Sequence, residues 1–177
     1  MNKKVFQVLG LSVGVVSLIW LANPNPYSVV IGSILVAIGE AMRIWAAGHL
    51  QRNVEITTSG PYAHLRDPLY FGRLFLLVGF CVMGWGYDLL LLLVGLGVFF
   101  FQYMPRKYRK EMARLERLFG EEYRKYAQNT RSLIPRLSPY LHAQKRPWSF
   151  RLFWKVNREQ YLLGGVCVVA LIIISKL

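Results

Sequence analysis

The sequence predicts an all-α, polytopic membrane helix bundle with about five transmembrane helices and one cytoplasmic amphipathic helix. Three observations carry this. Of the 177 residues, 54% are hydrophobic, and the mean hydropathy is +0.32. The apolar residues gather into five runs close to the ~20 residues that a helical span needs. The cations lie between those runs, and almost all of them fall on one side of the implied membrane.

The first run, 5–22, follows the charged start Met1-Asn2-Lys3-Lys4 and has no convincing small-residue cleavage site after it, so it is read as a span. Asn23-Pro24-Asn25-Pro26 ends it, because two prolines in four residues cannot continue a helix. The second run is 27–50. The third and fourth, 69–85 and 89–104, flank the short link Gly84-Trp85-Gly86-Tyr87-Asp88, and the fifth is 161–177. The whole chain, 1–177, is read as a single membrane domain.

The links at 23–26 and 84–88 contain no Lys or Arg. Every one of the 22 Lys and Arg except Arg43, Arg73 and Lys176 falls on the opposite side. The positive-inside rule makes that side cytoplasmic. The expected localisation is therefore a multi-pass integral membrane protein, its N-terminus cytoplasmic and its C-terminus on the outer side (the inner membrane if bacterial). This topology also explains the sequence pI of about 10.1, so no nucleic-acid partner is expected.

Between the fourth and fifth spans, 106–127 reads as an amphipathic helix. Tyr108, Met112, Leu115, Phe119, Tyr123 and Tyr126 form one helical stripe, with Arg109, Lys110, Arg114, Arg117, Arg124 and Lys125 opposite. That pattern suits a helix lying on anionic lipid headgroups, with a kink at Gly120. The tail 138–158 mixes Trp148, Phe150, Phe153 and Trp154 with basic residues and reads as an interfacial helix leading into the last span. Cys81 and Cys167 sit in apolar runs with no metal-ligand spacing, so no metal is expected.

Ionisable residues inside spans are costly and therefore informative. Glu40 and Arg43, three apart on one helical face, either neutralise each other or line a polar cavity. Arg73, one turn into the third run, is placed to snorkel to the surface. The densest polar and aromatic cluster runs from Gly60 to Gly72. Within it Asp67-Pro68 reads as a helix N-cap followed by proline at the first helical position.

This cluster also carries a resemblance. Gly60-x-Tyr62-x-x-x-Arg66-Asp67-Pro68-x-Tyr70-x-Gly72 resembles a motif of the isoprenylcysteine carboxyl methyltransferase and phospholipid methyltransferase families. Glu111-x-x-x-Leu115-x-x-x-Phe119-Gly120-x-x-Tyr123-x-x-Tyr126 resembles their second block, and Arg131-x-x-x-Pro135 their closing pattern. With Gly39-Glu40 and Trp45-Ala46-x-Gly48, the resemblance covers about 39–136. Two positions depart from it: Asp67 stands where the families commonly have histidine, and Met112 where they have a second glutamate.

The resemblance implies methyl transfer from S-adenosylmethionine to a lipophilic acceptor that enters from the bilayer. The cofactor would be held on the cytoplasmic side, in the region formed by 51–68 and 106–136. Tyr62, His64, Arg66, Asp67, Pro68, Tyr70, Glu111, Tyr123 and Arg131 are the implied cofactor contacts. Glu40, Arg43 and Arg73 are the candidates for acceptor handling and catalysis, on the ground of intramembrane charge rather than motif. Two other classes remain open. One is an NADPH-dependent membrane reductase of the sterol-reductase type, whose chains are much longer. The other is a non-catalytic headgroup-binding scaffold.

Overall fold

The structure is a computed structural model that describes residues 3–177, with side chains at Val5 and from Leu9 onward. The charged start Met1–Lys4 expected on the cytoplasmic side therefore lies outside the described side chains. The described residues contain helices and no strand. They comprise α1 (Lys3–Leu21), α2 (Pro26–Ala47), α3 (Pro68–Gly84), α4 (Asp88–Gly97), α5 (Met104–Asn129) and α6 (Gln160–Ile174). A wider π-type turn, Val98–Tyr103, joins α4 to α5 without a break.

All five apolar runs are helical. Two helices, Pro26–Ala47 and the continuous Asp88–Asn129, are long and apolar enough to cross a membrane. The other three apolar helices, Leu9–Leu21, Pro68–Gly84 and Gln160–Ile174, are shorter.

The Asn-Pro turn sets the start of α2. The Asn25 side chain accepts from the Ser28 N–H at 3.0 Å, and the Asn25 N–H donates back to Ser28 Oγ at 3.0 Å. With Pro26 at the first helical position, this is a complete capping box. The Ser28 hydroxyl also donates to the Met83 carbonyl at 3.2 Å, which ties the start of α2 to the end of α3.

From that clasp α2 and α3 run antiparallel, and glycines decide how closely. Gly32 lies against Met83, Gly79 against Val36, and Gly39 against the Gly72 carbonyl. Small residues at these positions let the two backbones approach as they do in membrane helix pairs. Leu18, Val36, Leu76, Cys81, Met83 and Ile173 form the core among α1, α2, α3 and α6. The outward faces are apolar: Val16, Trp20, Val30, Leu93 and Leu171 are all exposed.

The amphipathic stripe does not form one straight helix. At Gly120 the backbone adopts φ 53°, ψ −126°, and the chain turns there. Tyr123 and Tyr126 then pack with Met112, Leu115 and Phe119 against Ile56. The C-terminal part of the stripe is thus taken up by the protein's own packing, while Tyr108 and the basic side stay exposed. Only glycine adopts this backbone conformation at low cost, so Gly120→Ala should destabilise the turn by about 1–3 kcal/mol. Thermal unfolding in detergent checks this.

The tail also departs from expectation. Residues 130–149 are not helical; they form an extended strap across the 50–67 loop. The Asp67 N–H donates to the Ser132 carbonyl (3.3 Å), the Arg136 N–H to His64 (2.9 Å) and the Tyr140 N–H to Ala63 (2.7 Å). Pro135, Pro139 and Pro147 exclude a helix here, and helix returns only at Leu152–Val156. The strap then caps α2 from more than a hundred residues away. The Trp148 indole donates to the Ile44 carbonyl, and the Asn157 amide to those of Ala47 and Leu50. The Ala47 carbonyl is one that a helix end leaves without an intrahelical partner, and Leu50 lies just beyond that end.

Candidate active site

The two motif blocks meet at the end of the bundle where α3 begins. Pro68 occupies the first turn of α3 and is buried. Two residues on, the Tyr70 hydroxyl donates to Glu111 Oε2 at 2.6 Å, joining α3 to α5. Asp67, Tyr70, Met104, Tyr108, Glu111, Met112 and Tyr123 line a cleft of about 10 Å³, room for roughly one water molecule.

Arg66 closes the cleft on one side. Its guanidinium donates to the Tyr108 hydroxyl and the Ala127 carbonyl, each at 3.1 Å, and to Asp67 Oδ2 at 3.4 Å. It also lies 5.0 Å from the centroid of the Tyr108 ring. One residue thus holds both halves of α5 to the start of α3.

Asp67 precedes α3 as expected, and its carbonyl accepts from Tyr70 and Phe71. Its side chain, however, does not cap the helix. Instead Asp67 Oδ2 accepts from the Ser132 hydroxyl at 2.5 Å, a contact made from the strap. Burial raises the Asp67 carboxyl above its ordinary value, against the opposing pull of Ser132 and Arg66. A raised carboxyl favours folding most below the unfolded-state value near 3.8, and the stability it lends is lost as pH rises through the folded value. Asp67→Asn should therefore flatten the stability–pH profile above about pH 4, as read from thermal unfolding across a pH series.

The remaining implied contacts lie around the cleft and not in it. Tyr62 is buried in the short Gly60–Ala63 turn; burial pushes its phenol up, and its carbonyl accepts from the Tyr126 hydroxyl at 2.7 Å. His64 Nδ1 pairs with the Arg136 carbonyl at 3.0 Å, which makes it an anchor for the strap. The Arg131 carbonyl accepts from the Arg66 N–H, but its side chain faces a separate, open cleft. Tyr123 does line the small cleft, and burial pushes its phenol up to about 12.

The charged side chains of α2 and α3 form a second cluster. Glu40 and Arg43 do approach, with Oε2 and Nε 4.0 Å apart, but the principal partner of Arg43 is Glu159 at the start of α6. Arg43 also donates to the Leu69 carbonyl at 3.2 Å, next to Tyr70. Both Glu40 oxygens are buried without a hydrogen-bond partner. Arg73 is half-buried and reaches toward the end of the fourth apolar run. It bonds the Tyr103 hydroxyl and lies 5.4 and 5.8 Å from the Tyr70 and Tyr103 ring centroids. Attraction of the guanidinium to two aromatic faces holds it beside Tyr70 and Tyr103.

Sequence reasoning missed Glu159, Ser132, Tyr103 and Met104. Only Glu159 carried a signal: it is the first acidic residue after a long, wholly basic stretch, next to a span. Among the described residues no three His, Cys, Asp or Glu side chains come together as a metal site.

No protein-family model matches the chain. No solved structure matches it either. The cobalt-zinc-cadmium resistance protein CzcN of Cupriavidus metallidurans is 30% identical over 118 residues, which are 66% of this chain and 53% of that protein. The chain thus spans about half the length of the curated relative it matches.

Proposed function

We propose that this protein is a multi-pass membrane methyltransferase that uses S-adenosylmethionine to methylate a lipophilic acceptor. The observation that carries the reading is the Tyr70–Glu111 hydrogen bond, because it joins the two sequence blocks that resemble the methyltransferase families. Asp67, Tyr70, Glu111 and Tyr123, four of the implied contacts, line the same cleft. The resistance role in the name of CzcN neither specifies nor opposes a methyl acceptor.

The donor set suits the cofactor. The Glu111 carboxylate can take its amino group or ribose hydroxyls, and Asp67 favours a sulfonium electrostatically. The cleft as it stands is too small, so α5 must part from the start of α3 for binding, and Tyr70 and Glu111 then exchange their mutual hydrogen bond for bonds to the charged ligand. S-adenosylmethionine supplies a methyl group that is already activated. The side chains therefore need only align the acceptor and exclude water. Arg43, held by Glu159, fixes the first turn of α3 through Leu69, while Glu40 and Arg73 present polar groups to an acceptor arriving between α2, α3 and α4.

The exposed apolar side chains of α1, α2, α4 and α6 support the lipid side of this reading. The distribution of cations supports a cytoplasmic N-terminus and an outer C-terminus.

Calorimetry with S-adenosylhomocysteine on detergent-purified protein tests the proposal. Tyr70→Phe and Glu111→Gln should each weaken binding about ten-fold or more, the effect of losing a hydrogen bond to a charged group. Absence of binding sinks the reading, and binding of NADPH instead points to a reductase.

A further inference from the structure

The sequence assigned headgroup contact to the stripe of α5, but that stripe is packed against the protein's own 55–62 loop. The most exposed leucines of this region lie on the strap. Ile134 is 60% exposed, Leu141 88% and Leu137 fully so. They protrude singly from a segment in which Arg131 and Arg136 line an open cleft of about 480 Å³. From Tyr123 to Arg158 the chain carries nine Lys and Arg and no Asp or Glu. Among the described residues only Arg124 and Arg146 of these cations form ion pairs.

The anchors of the strap fix its level. One end is hydrogen-bonded at Arg66 and Asp67, immediately before α3 begins. The other end is bonded at Ile44 and Gly48, where α2 stops. Both anchors are ends of apolar helices, so the strap lies where a bilayer surrounding those helices meets water.

We propose that the tip of the strap is a docking surface for anionic phospholipid, with Leu137 and Leu141 entering the headgroup layer and Arg131 and Arg136 seated on lipid phosphates. Three features single out a lipid surface. Isolated leucines flanked by unpaired cations are the pattern of an interfacial anchor. The uncompensated positive charge complements anionic headgroups. The helix ends that hold the strap set its height at the interface. This holds whatever reaction the neighbouring cleft performs.

The test uses the full chain in nanodiscs. Leu137→Cys, and separately Leu141→Cys, are made in a Cys167→Ser background, since Cys81 is buried, and labelled with an environment-sensitive NBD group. In discs of phosphatidylcholine with phosphatidylglycerol, NBD emission should rise several-fold and shift to the blue. It should also be quenched by lipids spin-labelled near the headgroup. In discs of phosphatidylcholine alone, or with Arg131→Gln added, quenching should fall. The proposal is overturned by water-like emission quenched by iodide in both lipids. It is overturned equally by protection that follows inorganic phosphate without lipid quenching, which assigns the cleft to a free anion. Protection that follows an added acidic protein, again without lipid quenching, assigns it to a protein partner and also overturns the proposal.

Discussion

Arg43→Ala is expected to lower stability by about 3–5 kcal/mol, the cost of leaving a buried charge unpaired. The Arg43 side chain is 2% exposed, and those of Glu40 and Glu159 are 7% exposed. Removing the cation leaves two buried carboxylates side by side and releases the Leu69 carbonyl at the start of α3. Glu159→Gln should cost less, because Glu40 stands 4.0 Å from Arg43 and can take over as counter-ion. Replacing Arg43, Glu40 and Glu159 together by Met, Leu and Leu should recover much of the loss, since apolar substitutes avoid desolvation altogether. Thermal unfolding in detergent distinguishes these outcomes. Equal losses in Arg43→Ala and in the triple variant would show that packing, rather than charge, is what Arg43 contributes.

Gly39→Leu should be nearly as damaging. A Cβ at Gly39 would lie 2.8 Å from the Gly72 carbonyl oxygen and 2.9 Å from Phe75 Cβ, both closer than real contacts allow. The neighbour to be displaced is largely backbone, so α2 and α3 must separate. Overpacking costs about 1–3 kcal/mol where side chains can adjust, and the upper end applies here. The separation should also reach the candidate site, because Arg43 packs on Gly72 one helical turn away. A fall in S-adenosylhomocysteine affinity together with the loss of stability is the expected signature. Gly10→Leu, at a position facing open space, serves as the control.

Much of the helix placement was legible because it follows from local chemistry. The Asn-Pro turn before α2, the Asp67-Pro68 start of α3 and the Gly120 break rest on backbone constraints within a few residues. The contacts of α3 with α5 were legible only as a resemblance between two blocks, and their meeting through Tyr70 and Glu111 is a matter of packing. The tail was misread because aromatic and basic residues suit either an interfacial helix or an extended strap. The strap's hydrogen bonds to 58–67 decide between them, and they join residues more than sixty apart. Arg43 shows the same division. A neighbour three residues away was an evident partner, yet the carboxylate that binds it lies 116 residues further on.

By itself, then, the sequence determined the helical class, the apolar runs, the placement of most cations between them and the starts of α2 and α3. These depend on hydrophobic length, on proline and glycine stereochemistry and on the short reach of capping side chains. Only the tertiary structure decided which apolar faces meet protein and which stay outward, that Tyr123 and Tyr126 of the α5 stripe are buried against Ile56, and that Arg43 belongs to Glu159. Those outcomes depend on which distant segments come together, and neither composition nor periodicity carries that information.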